Sequence, residues 1–330
     1  MTGGVLVVDK PAGPTSFEVV ERVRRLAGAR KAGHTGTLDP SATGVLAVCL
    51  DDAVKLQHWL TGGDKTYEAT VAFGTATDTE DAEGRVVAEG DPSGLDEARV
   101  RAALPALTGE IDQVPPMYSA VRVGGRRLHA AARAGEAVER AARRVTVHEL
   151  RLDGWEPARG GAARARLTVR CGKGTYVRTL AAALGAAVGV PAHLEALRRT
   201  ASGPFSLGEA LTLDEAEALA RSGGLPARIV PPAEALAGMP EVRLDPAEVD
   251  ALVHGRAVAR RAPAPLCRAL DAEGRLVAVC GPDRTGERLA PVRVLAPGSG
   301  AEPAPVPEGG EAPRGRRGGR PGTGRGGRNR

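Results

Sequence analysis

The 330 residues, 42% of them hydrophobic, suffice for a large folded unit and a smaller one, and no apolar run is long enough to cross a bilayer. The net charge of +5 sits mostly at one end: seven arginines and three glutamates between Ala301 and Arg330 supply +4, which leaves residues 1–300 near neutrality. Overall basicity is therefore no argument for a nucleic-acid partner; any such argument must come from local segments.

Gly4 to Asp9 reads as a short buried strand ended by the turn KPAGP. Thr15 with Glu18 forms a capping box for a helix whose apolar face is Val19, Val20, Val23 and Leu26. Gly28 to Ser41 reads as an irregular loop rich in Gly and Thr, and Gly44 to Leu50 as a strand. Lys65 to Phe73 alternates, with Tyr67, Ala69, Val71 and Phe73 on one face. Ser93 to Leu107 has helical character, Arg164 to Cys171 alternates again, and Thr179 to Val188 is an Ala- and Leu-rich helix. Strands and helices intermingle without a βαβ rhythm, which predicts an α+β fold over a doubly wound sheet. Prolines cluster between Arg228 and Pro240, and residues 241–297 carry short apolar stretches that suit a small β-rich domain. Residues 298–330 are Pro-, Gly- and Arg-rich and cannot offset their ordering entropy, so a disordered tail is expected.

Cys49, Cys171, Cys267 and Cys280 form no CxxC pair and no zinc-like spacing, so no metal site is expected and the thiols suit a reduced, cytoplasmic setting. The N-terminus lacks the basic start and apolar core of a signal peptide.

Three constellations carry chemistry. In KAGHTGTLDPSATG, residues 31–44, small residues permit close approach to a bulky ligand, and Pro40 pushes Asp39 toward extended backbone. A carboxylate so presented can act as a nucleophile, although a turn-capping Asp39 beside a loop histidine, His34, fits the spacing as well. In the segment from Lys65 to Asp81, Tyr67 fits either a strand core or a ring stacked on a base, and Asp78, Glu80 and Asp81 read as an acidic, solvated turn. In CGKGTYVRTL, residues 171–180, the Lys and Gly spacing fails the phosphate-loop pattern, while Arg178 fits equally a surface arginine on a helix or a two-pronged grip on a carboxylate. Residues 122–151 hold eight arginines and three glutamates, a local +5 suited to phosphates or to a solvated amphipathic face.

In this order, with VDKPAGPTS, TDTEDAEG, QVPPMYSAVRVGGRRLHAAARAG and HLEALRRT, the segments resemble the bacterial tRNA pseudouridine-55 synthase family over most of residues 4–205. The resemblance implies a pseudouridine synthase catalytic fold with a mixed, mainly antiparallel sheet over 1–235 and a PUA-like RNA-binding domain over 241–297. It implies Asp39 as nucleophile, Tyr67 stacked on the target base and aiding proton transfer at C5, and Arg178 paired with the nucleophilic carboxylate. It also implies that His34, Tyr176 and Leu197 contact the extruded uridine, and that 122–151 is a mobile element clamping the T-arm. His129 stands where the family often has tyrosine. The expected partner is the tRNA elbow, bound by a monomer needing no cofactor, metal, membrane or protein partner. A non-catalytic tRNA-binding or tRNA-folding protein on the same fold is the main rival. The co-occurrence of Asp39, Tyr67 and Arg178 disfavours it, because a pure binder gains nothing from an anion beside phosphates.

Overall fold

Period-two alternation marks the strands Lys65–Phe73 and Ala163–Cys171, whereas Gly4–Lys10 and Thr43–Leu50 are apolar runs buried on both faces. The computed structural model describes residues 3–118, 122–123, 126–127 and 138–295. In chain order the strands are β1 (Gly4–Lys10), β2 (Ala32–His34), β3 (Thr43–Leu50), β4 (Lys65–Phe73), β5 (Thr75–Thr77), β6 (Val86–Glu89), β7 (Gly109–Gln113), β8 (Arg122–Val123), β9 (Arg126–Arg127) and β10 (Arg143–Glu156). They continue with β11 (Ala163–Cys171), β12 (Ala192–Ser202), β13 (Phe205–Ser206), β14 (Glu241–Arg243), β15 (Cys267–Leu270), β16 (Leu276–Pro282) and β17 (Leu289–Val294). The helices are α1 (Ser16–Leu26), α2 (Gln57–Thr61), α3 (Glu97–Ala103), α4 (Val177–Val188), α5 (Leu213–Ser222), α6 (Pro232–Ala235) and α7 (Pro246–Val253).

The main sheet runs β1-β3-β12-β4-β11-β10-β7, with β2 on β3 and β13 on β12. Its pairings are antiparallel except β12 on β3, so the α+β class with a mixed, mainly antiparallel sheet is observed. Burial on β4 follows its alternation, putting Tyr67, Ala69, Val71 and Phe73 under α3 and α4. From those helices come Val100, Val177, Leu180, Leu184 and Val188. Elsewhere α1 and α5 cover Leu6, Val8, Leu46 and Val48 of β1 and β3. The opposite face of that pair, Val5, Val7, Val45 and Ala47, packs with Leu270, Leu276 and Val279 of the C-terminal sheet β14-β15-β16-β17 and with Leu295 just after it. Burying each such Leu or Val contributes roughly 1.5–3 kcal/mol, so the C-terminal unit is anchored by an apolar seam.

The parallel junction of the main sheet brings β12 against the start of β3, pairing Arg199 with Gly44. Gly44 has φ of +103°, and a Cβ there would lie 2.1 Å from the Arg199 carbonyl oxygen. Gly44→Ala is expected to cost at least about 3 kcal/mol, combining backbone strain with overpacking, as read by urea unfolding.

Three expectations are corrected. Gly28 to Ser41 is not wholly irregular, because Ala32–His34 pairs with β3. The helix expected over Ser93 to Leu107 is α only across Glu97–Ala103 and tightens to 3-10 geometry at Leu104–Leu107, where Pro105 interrupts the α pattern. The basic element expected over 122–151 is not one mobile unit. Its last nine residues belong to β10, where Val145 and Val147 are buried and the strand pairs with β7 and β11. Arg144 and Arg151 there face carboxylates of Asp112, Glu149 and Asp153. His129 and the Gly/Arg-rich tail lie outside the described residues. Among the described residues no helix is long and apolar enough to cross a membrane.

Candidate active site

The Asp39 loop is clamped from below by the turn after β1. Lys10 is fully buried, and its ammonium donates to the carbonyls of Pro11 (2.8 Å), Pro40 (3.1 Å) and Ala42 (2.8 Å). Ser16, in the first turn of α1, donates its hydroxyl to the Leu38 carbonyl and accepts the Leu38 N–H, both at 2.8 Å. Gly13 donates its N–H to the Pro40 carbonyl at 2.9 Å. The segment VDKPAGPTS therefore acts on the chemistry indirectly, by fixing the backbone on both sides of Asp39.

A second clamp comes from β12. Arg199 is 1% exposed, and its guanidinium donates to the carbonyls of Val45 (2.7 Å), Gly36 (3.0 Å) and Thr37 (3.3 Å). It lies opposite Tyr67 across the β4–β12 ladder. Three buried cations, Lys10, Lys65 and Arg199, thus hold main-chain carbonyls behind the loop, Lys65 through Thr61 and Gly63. Their positive field favours an anion at the loop.

Arg178 stands in the first turn of α4, where a cation opposes the helix dipole. Two carboxylates offset this. Its Nε lies 3.2 Å from Asp39 Oδ2, and its Nη1 lies 3.2 Å from Asp81 Oδ2. The same guanidinium donates to the Thr79 carbonyl (3.1 Å) and the Tyr118 carbonyl (2.9 Å). The Arg178 and Asp81 side chains are 7% and 10% exposed, whereas that of Asp39 is 39% exposed. The arrangement is a shielded cation with one carboxylate behind it and one facing outward.

Asp81 is the correction to the solvated acidic turn. Its Oδ1 accepts the Thr79 hydroxyl (2.6 Å) and the Glu83 N–H (3.1 Å). The turn is stitched to β12 by the Leu194 N–H to the Glu80 carbonyl (3.0 Å) and the Ala82 N–H to the Leu194 carbonyl (3.1 Å). Glu80 adopts φ of +65° and accepts the Thr179 hydroxyl at 2.6 Å.

Burial pushes the Asp39 carboxyl above the ordinary aspartate range, Arg178 pulls it back, Asp81 pushes it up further and Lys10 lowers it. Tyr67, 8% exposed, is also pushed up by burial, with Arg199 opposing, so its hydroxyl is a neutral phenol at neutral pH. Its ring shares an apolar cluster with Leu38 and Ala42, against which Leu197 packs. His34 lies on β2 with its carbonyl accepting from the Gln57 side chain. Burial, then Arg199, lower its pKa, and its Nδ1 has no hydrogen-bond partner among the described residues. Tyr176 is the residue preceding α4, its backbone held by Gln113.

The structure thus brings Asp39 and Arg178 into contact, with Tyr67 and Leu197 in the apolar cluster that also contains Leu38, the residue before Asp39. Lys10, Ser16, Asp81, Gln113 and Arg199 complete the assembly, and local sequence patterns gave no functional signal for them. All five fall within segments that carried the family resemblance. Among the described residues no three His, Cys, Asp or Glu side chains gather as metal ligands, and the four cysteines are free and buried.

A half-exposed carboxylate thus faces a buried arginine beside an apolar cluster. The profile described as TruB family pseudouridylate synthase (N terminal domain) matches residues 24–177. Profiles for the tRNA pseudouridylate synthase B C-terminal domain and for tRNA Pseudouridine synthase II, C terminal, match 178–237 and 239–296. The tRNA pseudouridine synthase B of Geobacillus thermodenitrificans is 48% identical over 73% of this chain and 80% of its own length. That of Aromatoleum aromaticum is 47% identical over 88% and 92%. A solved H/ACA RNP bound to a substrate RNA containing 2'-deoxyuridine is similar with a TM-score of 0.66 and 25% identity, covering 90% of this chain and 86% of that one. The chain belongs to the TruB family of pseudouridylate synthases, and so to the pseudouridine-forming isomerases.

Proposed function

We propose that the protein isomerises uridine 55 in the T-loop of tRNA to pseudouridine, with Asp39 as nucleophile. The observation that carries this reading is the Asp39–Arg178–Asp81 cluster, with 3.2 Å contacts on each side of the arginine, in a chain of this family. The reaction breaks the N1–C1′ bond, turns the uracil and joins C5 to C1′. No atoms are gained or lost overall, so the chemistry requires neither redox cofactor nor ATP.

The uridine first leaves the stack, at a cost of a few kcal/mol. Its base rests on Tyr67 and Leu197, while His34 and Tyr176 contact the extruded nucleotide. Asp39 attacks the uridine as the carboxylate, with Arg178 keeping it charged and aimed. Once C5 is joined to C1′, the C5 proton leaves and N1 gains one. Tyr67, a neutral phenol, serves that step as a relay and not as a standing phenolate. Residues 1–235 form the catalytic unit and 241–297 a PUA-like RNA-binding unit, both acting on the tRNA elbow. The protein works as a cytoplasmic monomer with no protein partner.

The test is tritium release from [5-³H]uridine-labelled tRNA transcript without added cofactor. Release is expected, and is expected to be lost when residue 55 alone is replaced by cytidine. Release unaffected by that replacement would refute the position. A protein that binds this tRNA without releasing tritium would instead be the non-catalytic binder.

Two further outcomes follow. Asp39 acts ionised and burial raises its pKa, so the rate falls as pH drops through a value above the ordinary aspartate pKa of about 3.9. Asp81→Asn removes a charge that raises Asp39. The acid limb of its kcat/KM profile is expected to move to lower pH, and a limb that moves up would contradict the coupling. Deleting residues 301–330 is expected to leave salt-sensitive tRNA affinity largely intact, as measured by filter binding across a salt series. Collapse of affinity would make the tail the main grip.

A further inference from the structure

α4 begins badly by local rules. The residue before it, Tyr176, makes no side-chain cap, and no acid stands in the first turn. The cation Arg178 occupies the second helical position, against the dipole. Something outside the helix must fix this turn, since Arg178 can aim Asp39 only from one place.

Gln113 does so. It is the last residue of β7, and the chain leaves the sheet immediately after it, returning at Arg143, its partner on β10. The Gln113 side chain is 5% exposed. Its Oε1 accepts the Tyr176 N–H at 2.8 Å, and its Nε2 donates to the Tyr176 carbonyl at 3.1 Å. That carbonyl also accepts the Leu180 N–H at 3.1 Å, the opening hydrogen bond of α4. One amide therefore grips both main-chain groups of the residue two positions before Arg178. If the amide is lost, the Tyr176 carbonyl keeps the Leu180 N–H, but the Tyr176 N–H loses the acceptor that Gln113 gives it.

We infer that Gln113 is a positioning residue for the isomerisation: by holding the Tyr176 backbone it sets where the first turn of α4, and hence the Arg178 guanidinium, meets Asp39. This rests on Arg178 acting as proposed above. Arg178 also donates to the carbonyl of Tyr118, five residues after Gln113. A displacement of about 1 Å at a reacting group can cost about a hundredfold in rate. The effect therefore falls on turnover more than on affinity, because Tyr176 is one RNA contact among several.

The test is single-turnover pseudouridine formation at saturating tRNA, with tRNA affinity measured in parallel. In Gln113→Met, similar in shape but without the amide, the rate is expected to fall about tenfold to a hundredfold with affinity largely kept. Gln113→Glu keeps the acceptor for the Tyr176 N–H but turns a carboxylate on the carbonyl. Its rate relative to wild type is expected to recover as pH falls from 8 to 6 and the buried acid regains a donor. In an Arg178→Lys background, Gln113→Met should add little, because both changes disturb the same aim. A Gln113→Met rate equal to wild type, a Gln113→Glu ratio flat with pH, or losses that multiply fully with Arg178→Lys would each overturn the proposal. If Gln113→Met does not fold, the Gln113→Glu pH ratio decides alone. Failure of the functional reading is distinguishable, since wild type itself would then form no pseudouridine.

Discussion

Asp39→Asn is expected to lower pseudouridine formation by about 10⁴-fold or more, the scale on which removal of an essential catalytic side chain acts, with tRNA affinity retained. Asparagine has the same shape, and the loop does not depend on the carboxylate. Lys10 grips the carbonyls of Pro40 and Ala42, Ser16 grips both main-chain groups of Leu38, and the Ala42 N–H closes on the Asp39 carbonyl at 3.1 Å. Every one of these bonds survives the substitution. The loss is therefore chemical: an amide cannot form the bond to carbon that an ionised carboxylate can. Turnover within tenfold of wild type in a single-turnover assay would remove Asp39 from its proposed role.

Arg178→Ala is expected to reduce turnover by about 10²–10³-fold, the cost typical of losing one preorganised charged or dipolar group aimed at reacting atoms. tRNA binding should stay near wild type, because the guanidinium is 7% exposed and lies behind Asp39. The same change leaves Asp81, 10% exposed, without its cation. Removing one member of a buried ion pair costs about 3–5 kcal/mol, so a clear drop in thermal midpoint should accompany the loss of rate. Loss of binding with turnover intact at saturation would contradict this assignment. Lysine is not a conservative replacement, since a point ammonium cannot face Asp39 through one nitrogen and Asp81 through another.

The elements legible in the sequence were those whose signal is local. The Thr15–Glu18 capping box and the Val19, Val20, Val23 face are both present in α1. The alternation of β4 reads directly as buried and half-exposed faces, including Tyr67. The short strand β2 was hidden because Ala32, Gly33 and His34 carry no strand propensity and are held by tertiary pairing with β3. β10 was masked by its arginines, Arg143, Arg144 and Arg151, which sit on exposed positions either side of the buried Val145 and Val147. At the site, the loop chemistry of Asp39 alone could not separate a nucleophile from a turn cap. The burial of Asp81 was illegible because the turn between β5 and β6 is acidic in composition. Stitching of the turn to Leu194 of β12 and Thr179 of α4, together with the Arg178 guanidinium, draws that carboxylate inward. Lys10 and Arg199 escaped for a related reason: a buried cation satisfied solely by main-chain carbonyls leaves no complementary charge pattern in the sequence.

The site depends on elements far apart in the chain converging at one seam. β12 contributes Arg199 and Leu197 and touches both β3 and β4. Its parallel contact with β3 closes on Gly44, five residues after Asp39, and its antiparallel ladder faces Tyr67. Changes at this seam should therefore report on both stability and rate.

The most direct test of the central claim is pseudouridine mapping of tRNA from a strain lacking this chain. Pseudouridine at position 55 is expected to disappear while other pseudouridines persist, and to return with the wild-type chain but not with Asp39→Asn. Position 55 still modified in the deletion strain, or restored by Asp39→Asn, would contradict the account.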